Sequence, residues 1–421
     1  MHTTLPSLAL FVEGTFLPSR EGATRRFVGI ARSLTALGHK VIIIHCYRGW
    51  SDLELISSEP FTTYAVTPDI YYGDISRLAN ILASERIDII QFFEIETVCG
   101  IGLPLARLLP STRLAFECHD VHSEFLKSLG ALESKINNVR CLEHHTLPLC
   151  DLVTCFTSED RMSLLDLGAF PERTFTVAFG IELCVSKVHR RSSNGRNVVF
   201  LGNLYHRPNQ TAVSIIVRML APSLSQRMPP CHFTIVGDYP PAFAQEFCER
   251  NVRYVGAIDC LDNLLSTMTI AVAPVTEGSG IKVKMLDYFA AGLPVVGTSL
   301  AFRGYPQSAG LITNDLAAMP DAIVALLDDE ERLNLMSIQC RRIAETNDWR
   351  RIAPALSNLY AQAASRPRYV TERLFSADPP NLKSGTPYVL DDNIGQARFA
   401  NAIYPRLPEE SVQRVGGGMP K

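Results

Sequence analysis

The fold of this chain is decided by residues 273–296, which read APVTEGSGIKVKMLDYFAAGLPVV. The apolar run from Met268 to Val275 has the length of a buried strand, and Gly278 and Gly280 supply the backbone freedom for a tight turn. From Ile281 to Ala291 the apolar residues have helical spacing, and a glycine ends that run. The stretch therefore predicts a strand, a glycine loop and a helix, followed by a second strand.

The predicted loop and helix start have the chemistry of an anion site. The first amides of a helix lack internal partners and lie at the positive end of its dipole, so they favour phosphate oxygens. Lys282 and Lys284 add positive charge, and Glu277 and Asp287 offer carboxylates to the hydroxyl groups of a sugar or ribose. A glycine pair with one lysine is more often ordinary loop chemistry. The hypothesis of a phosphate site therefore depends on the whole string.

That string resembles the nucleotide-sugar loop of retaining glycosyltransferases of the GT-B fold, family 4, in the sub-group with a Gly-Ser-Gly-Ile-Lys loop. The resemblance implies that the loop holds the donor diphosphate and that Asp287 binds the nucleotide ribose. Asp287 stands where the family usually has Glu, and Glu277 only approximates the first of two glutamates that the family separates by seven residues. The candidate donor-binding residues here are Gly278, Ser279, Gly280, Ile281, Lys284 and Asp287, and the candidate catalytic residues are Lys282 and Glu277.

Composition and charge limit the class of protein. With 421 residues, 47% of them hydrophobic, the chain can form two domains with a core each. A net charge of −3 and a pI near 6.4 provide no positive field for nucleic acid. The eleven cysteines are odd in number and lack a Cys-x-x-Cys pair, which favours reduced thiols in a cytoplasmic protein. No metal-ligand cluster and no Asp-x-Asp is present, so a metal-independent reaction is expected.

No apolar run approaches the length of a membrane span. Met1–Thr4 lacks a basic region, so Leu8–Val12 is expected to be the first strand rather than part of a signal peptide. These features favour a soluble protein, and a peripheral contact with a membrane through the first domain stays open.

The first half of the chain alternates strand and helix patterns. Leu8–Val12 is followed by a helix with an apolar face, and Val41–Ile44 then has the continuous apolar character of a strand buried on both faces. The helix over 75–83 and the strand over 87–93 continue the alternation. This half is expected to be a doubly wound α/β domain of the Rossmann type.

Two polar loops of this half carry candidate residues. The loop over 19–24 follows the first strand, and the resemblance places Gly22 near the donor; an ordinary βα turn is the alternative. The segment 114–122 ends a strand at a His-Asp pair, at the sheet edge where open α/β folds bind ligands. Such a histidine is more often structural. The resemblance implies that His119 contacts the transferred sugar and is catalytic.

The second half begins after a polar, basic segment over 185–196, which is the predicted linker. A strand over 198–201 leads into a loop and a helix that resemble the start of the second GT-B domain. From this resemblance, Arg207 is a candidate for the donor phosphates, although a solvated loop arginine is about as plausible, and Gly237 follows another strand as part of the base pocket. The donor-binding candidates of this half before the glycine loop are Gly202, Asn203, Arg207 and Gly237.

The predicted architecture is two Rossmann-like domains facing across a cleft. An acceptor-side domain over 1–184 and the linker over 185–196 precede a nucleotide-sugar domain over 197–348, and residues 349–364 form a helix that crosses back. Residues 365–421 are rich in Pro, Gly and charge, and no regular structure is predicted for them.

The predicted function is transfer of a sugar from a nucleotide diphosphate sugar, with UDP preferred, to an acceptor hydroxyl with retention at the anomeric carbon. No further cofactor is expected, and the acceptor is a small molecule, a polysaccharide or a lipid-linked compound. A GT-B module that binds nucleotide sugars without catalysis is one alternative. A nicotinamide-dependent oxidoreductase is less favoured, because the chain lacks a complete glycine fingerprint.

Overall fold

A computed structural model describes residues 5–14, 16–17, 22–49, 52–183, 196–228, 231–258, 260–367 and 412–416. The chain divides into two compact units. The first unit comprises Met1–Gly180 and Trp349–Lys421, and the second comprises Ile181–Asp348. Of the predicted linker over 185–196, only Arg196 lies within the described residues, where it opens a strand.

The first unit contains an eight-stranded sheet with helices on both faces. Its strands are β1 Leu8–Val12, β2 Val41–Cys46, β3 Thr62–Val66, β4 Ile89–Phe92, β5 Arg113–Cys118, β6 Leu152–Cys155, β7 Thr174–Thr176 and β14 Val412–Gly416. Its helices are α1 Gly22–Ala36, α2 Leu53–Ser57, α3 Pro68–Gly73, α4 Ile75–Ser84, α5 Ile95–Thr97, α6 Leu103–Leu108, α7 His122–Ser128, α8 Glu133–Thr146, α9 Ser158–Asp166 and α17 Trp349–Ser365.

The strand order of this sheet is β14-β3-β2-β1-β4-β5-β6-β7. All neighbouring pairs are parallel except β14 with β3. Ala9 and Phe11 of β1 face one apolar cluster, and Leu8 and Leu10 face another that includes Tyr360 of α17. Strands buried on both faces explain the continuous apolar runs of the sequence. The predicted doubly wound domain is therefore confirmed.

The second unit contains a six-stranded sheet. Its strands are β8 Arg196–Leu201, β9 Cys231–Val236, β10 Val252–Gly256, β11 Ile270–Ala273, β12 Val295–Gly297 and β13 Gly310–Ile312. Its helices are α10 Arg207–Ile215, α11 Ala221–Arg227, α12 Pro241–Glu246, α13 Leu261–Leu265, α14 Lys284–Ala290, α15 Met319–Leu327 and α16 Glu330–Thr346. The order is β10-β9-β8-β11-β12-β13, and each neighbouring pair is parallel.

The structure corrects the predicted start of the helix in the glycine-loop stretch. The spacing predicts a helix from Ile281, but α14 begins at Lys284. Gly280 has a φ of 61°, a left-handed value that a right-handed helix does not accommodate. The loop therefore continues through Lys282. The carbonyl of Lys282 accepts a hydrogen bond from the amide of Met285 at 2.8 Å, which forms the turn that leads into α14.

The structure also corrects the prediction for the C-terminal tail. Within 365–421, helix α17 continues to Ser365 and Val412–Gly416 forms β14. This strand pairs antiparallel with β3, with Val412 opposite Val66. The edge of a sheet offers unpaired backbone groups that a short segment satisfies, whatever the composition of its surroundings. The other tail residues after 367 lie outside the described ranges.

Candidate donor site and the histidine of the first unit

The predicted donor residues of the second unit meet at one edge of its sheet. Strands β8 and β11 are neighbours, and the chain continues from β8 toward β10 on one side and from β11 toward β13 on the other. The segment after β8 carries Asn203 and Arg207, and the segment after β11 carries the glycine loop and Lys284, the first residue of α14. Ligands of open α/β sheets bind at such a switch point, beyond the carboxyl ends of the strands. The topology therefore makes this edge the candidate binding site.

Lys284 is connected to the loop after β8. Its Nζ donates a hydrogen bond to Oδ1 of Asn209 at 2.6 Å and lies 4.1 Å from the centroid of the Phe200 ring. The side-chain amide of Asn209 in turn donates to the carbonyl of Asn203 at 2.9 Å. Desolvation, with a smaller contribution from the charge of Lys282, lowers the pKa of Lys284 to about 7. This cation is held in place but only partly charged near neutral pH.

Lys282 stabilises the glycine loop itself. Its Nζ donates to the carbonyl oxygens of Ser279 at 2.7 Å and Gly280 at 3.0 Å. Gly278 has a φ of 97°, and a Cβ added there would lie 3.9 Å from the Nζ of Lys282. The loop thus folds around the ammonium group. Lys282 lies before α14 rather than within it, whereas Asp287 lies in the first turn of that helix.

Glu277 and Arg207 form a pair. The Nε of Arg207 lies 3.2 Å from Oε2 of Glu277, and the hydroxyl of Thr211 donates to Oε1 at 3.1 Å. The Arg207 side chain is 65% exposed. A candidate for phosphate contact and a candidate for catalysis are therefore joined by an ion pair at the surface.

The glycines at the ends of β8 and β9 allow a close backbone approach. Gly237 has a φ of 136°, and a Cβ added there would lie 2.1 Å from the carbonyl oxygen of Gly202. The amide of Gly237 donates to the carbonyl of Gly256 at 2.9 Å. Packing alone thus requires glycine at position 237. Tyr288 links α14 to β8, because its hydroxyl accepts a hydrogen bond from the amide of Leu201 at 2.7 Å.

In the first unit, His119 directly follows β5. Its Nε2 lies 3.1 Å from Oε1 of Glu117, which is fully buried. The imidazole packs against the rings of Phe27, Phe93 and Phe156, with centroid distances of 6.4, 5.3 and 5.4 Å. Gly22 is the first residue of α1, the helix that also carries Phe27, and residues 18–21 of its loop are outside the described ranges.

The sequence and fold of the chain match known proteins. Residues 195–329 match the sequence model of the glycosyl transferases group 1, and residues 20–183 match that of glycosyltransferase family 4. The two matches cover most of the chain. It belongs to the glycosyltransferases of the GT-B fold.

Solved structures agree with this fold. Sucrose-phosphate synthase from Thermosynechococcus elongatus is 17% identical, with 85% of this chain and 98% of that chain covered and a TM-score of 0.67. Anabaena HepE in complex with UDP-glucose is 12% identical, with 85% and 99% covered and a TM-score of 0.66. WaaG, a glycosyltransferase of lipopolysaccharide biosynthesis, is 15% identical, with 84% and 99% covered and a TM-score of 0.58. A search of curated proteins found no match.

The sequence did not predict the roles of Asn209 and Glu117. Asn209 joins Lys284 to Asn203, and no sequence pattern pointed to that contact. Glu117 contacts His119, and its signal was a charged residue inside an otherwise apolar strand. A buried charge of that kind needs a partner, so it marks a position with a specific contact.

The described part of this glycosyltransferase contains no group of three or more His, Cys, Asp or Glu side chains arranged to hold a metal ion. Within the same ranges, no helix is both long enough and apolar enough to cross a membrane. The ten cysteines that the structure describes are all free thiols.

Proposed function

We propose that this glycosyltransferase transfers a sugar from a UDP-sugar to an acceptor hydroxyl with retention at the anomeric carbon. The observation that carries the proposal is the position of two lysines beside one glycine loop at the switch point between β8 and β11. Lys282 donates hydrogen bonds to two carbonyl oxygens of this loop, and Lys284 donates one to Asn209. Two cations next to a glycine loop suit a diphosphate.

The chemistry needs a stabilised leaving group more than a strong base. The bond from the anomeric carbon to the diphosphate breaks with its electron pair remaining on the diphosphate. The acceptor oxygen forms the new bond to that carbon, and its proton passes to an oxygen of the departing diphosphate. Lys282 and Lys284 would stabilise the charge that develops on the leaving diphosphate. This assignment needs no cofactor and no metal ion besides the nucleotide sugar.

The choice of UDP rests on the solved structures of similar fold. HepE was solved with UDP, with UDP and glucose, and with UDP-glucose, and a TarM variant was solved in complex with UDP and α-GlcNAc-glycerol. Retention and the role of His119 rest on the resemblance to family 4. Because Glu277 is paired with Arg207 and Thr211, we assign it to accept hydrogen bonds from the sugar hydroxyls rather than to act as a base.

The test begins with thermal unfolding of the full chain in the presence of UDP, GDP, ADP and their glucose conjugates at equal concentration. A ligand that binds the native state raises the melting temperature, and UDP and UDP-glucose are expected to give the largest rise. Lys284→Met should reduce that rise, whereas Arg218→Ala, an exposed arginine of the same unit, should retain it in full.

Retention is tested by the slow hydrolysis of UDP-glucose in the absence of acceptor. Proton NMR spectra recorded before mutarotation should show the α-anomer of glucose first. Initial release of the β-anomer would contradict retention. Absence of any nucleotide-dependent rise in melting temperature would contradict the donor site itself.

A further inference from the structure

We propose that Glu117 and Arg26 are positioning residues that hold His119 with its proton on Nε2 and keep Nδ1 for the transferred sugar. The identity of the sugar rests on the proposed function. The geometry does not, because the three side chains lie within the first unit.

Arg26 and Glu117 form a bidentate ion pair in the interior of this unit. The Nε of Arg26 donates to Oε1 of Glu117 at 2.9 Å, and Nη2 donates to Oε2 at 2.8 Å. Both side chains are completely buried. Although burial acts to raise it, the pKa of Glu117 is lowered, because Arg26 and His119 stabilise the carboxylate. Glu117 is therefore ionised.

An ionised carboxylate accepts hydrogen bonds but donates none. The same Oε1 that accepts from Arg26 lies 3.1 Å from Nε2 of His119. Nε2 must then carry a proton, so a neutral His119 has its lone pair on Nδ1. Among the described residues, no hydrogen bond to Nδ1 is formed, and the side chain keeps 16% of its surface exposed.

Aromatic rings fix the guanidinium that holds this carboxylate. Its central carbon lies 4.9 Å from the ring centroid of Trp349, 5.2 Å from that of Phe156 and 5.7 Å from that of Phe179. The third nitrogen, Nη1, donates to the carbonyl of Ala178 at 2.9 Å. A planar cation with these contacts has one orientation, so the carboxylate and the imidazole that depend on it are also oriented.

This arrangement assigns His119 a specific chemistry. Nδ1 of the neutral ring accepts a hydrogen bond from a sugar hydroxyl and orients the sugar without donating a proton. Phe156 supports both His119 and Arg26, because its ring stacks on the imidazole and also lies under the guanidinium. Glu117 acts only through His119 and is a positioning residue.

The first test is the tautomeric state of His119 in the full chain, read by NMR of protein with ¹⁵N-labelled histidine. The resonances are assigned by their loss in His119→Gln. We expect Nε2 protonated and Nδ1 bare in the wild-type protein, with the Nε2 proton shifted downfield and slow to exchange because it bonds to a carboxylate. A protonated Nδ1 with bare Nε2, a mixture of tautomers, or a rapidly exchanging Nε2 proton would overturn the proposal.

The second test compares Glu117→Gln with Glu59→Gln. Glu59 also forms a bidentate pair in this unit, with Arg32 at 2.8 and 2.6 Å, and this pair involves no histidine. Both variants exchange a paired carboxylate for an amide. Glu117→Gln should remove the single Nε2-protonated form and reduce kcat at least tenfold with unchanged UDP affinity. Glu59→Gln should change neither the tautomer nor kcat.

The outcomes separate this inference from the proposed function. If no donor supports turnover, the proposed function fails, but the tautomer measurements still decide the role of Glu117. A folded Glu117→Gln variant with wild-type turnover and an intact Nε2-protonated form would contradict the positioning role. If Glu117→Gln does not fold, the wild-type proton spectrum decides, because the downfield and slowly exchanging Nε2 proton requires no variant.

Discussion

The Nζ of Lys284 donates a 2.6 Å hydrogen bond to Oδ1 of Asn209, which joins the start of α14 to the first turn of α10. The partner of this cation is a neutral amide rather than a carboxylate. Because Asn209 carries no negative charge, it does not offset the desolvation that lowers the pKa of Lys284 to about 7. A bound diphosphate would supply that charge.

The first prediction concerns proton uptake on nucleotide binding. Above pH 7 most of Lys284 is neutral in the free protein, and a bound diphosphate raises its pKa, so UDP binding at pH 8 should take up a proton. Titration calorimetry in two buffers of different ionisation enthalpy measures this uptake. Lys284→Met should abolish it, and binding enthalpies of the wild-type protein that do not depend on the buffer would refute the assignment.

The second prediction concerns the loop lysine. Lys282→Ala removes a cation beside the proposed diphosphate and two hydrogen bonds to loop carbonyls. We expect kcat for donor hydrolysis or transfer to fall about 100-fold, with little change in the melting temperature of the free protein, because the loop lies at the sheet edge. Steady-state kinetics and thermal unfolding measure the two effects. Near-normal turnover would remove Lys282 from the site.

The third prediction separates the two roles of Arg207. The Arg207 side chain, which pairs with Glu277, is 65% exposed. Arg207→Ala should therefore change the free energy of unfolding by less than about 1 kcal/mol. If Arg207 contacts the phosphates, the Kd values of UDP and of UDP-glucose should rise together. If it only orients Glu277, the Kd of UDP-glucose alone should rise. We expect the second result, because Glu277 already engages the guanidinium, and an equal rise would contradict it.

The fourth prediction tests the close approach at the ends of β8 and β9. Gly237→Ala places a Cβ 2.1 Å from the carbonyl oxygen of Gly202, whereas Gly256→Ala, at a φ of 80°, meets no atom within 4 Å. The control should lose about 1–2 kcal/mol from its left-handed backbone alone. Gly237→Ala should lose about 3 kcal/mol or more. Urea denaturation measures the free energy of unfolding of both variants. Equal losses would contradict the prediction, because they would mean that the backbone near Gly202 moves away from the new Cβ without loss of stability.

The sequence predicts the strands of this chain better than the start of its glycine-loop helix. Runs such as Val41–Ile44 are buried on both faces, so their pattern alone indicates a strand. The helical spacing after Gly280 also holds, but the left-handed backbone at that glycine delays α14 to Lys284. Periodicity records which side chains face the core and not where the first helical hydrogen bond forms.

The candidate site was predictable in its local parts and not in its distant contacts. The two lysines and the glycines occur in one string, so sequence spacing brings them together. Asn209 reaches Lys284 across 75 residues, and Arg26 reaches Glu117 across 91. No local pattern encodes such contacts, because they follow from the order of strands in the sheets. The strand pairing of Val412–Gly416 with β3 was missed for the same reason.

The chain ends of the second unit lie side by side. Ile181, its first residue, forms a parallel bridge with Asp348, its last, and the amide of Ile181 donates to the carbonyl of Asn347 at 2.8 Å. In architectural terms the second unit is an insertion into the first. We therefore expect the gene segment for residues 181–348 to be separable, so that the excised piece folds alone and reports nucleotide affinity free of His119.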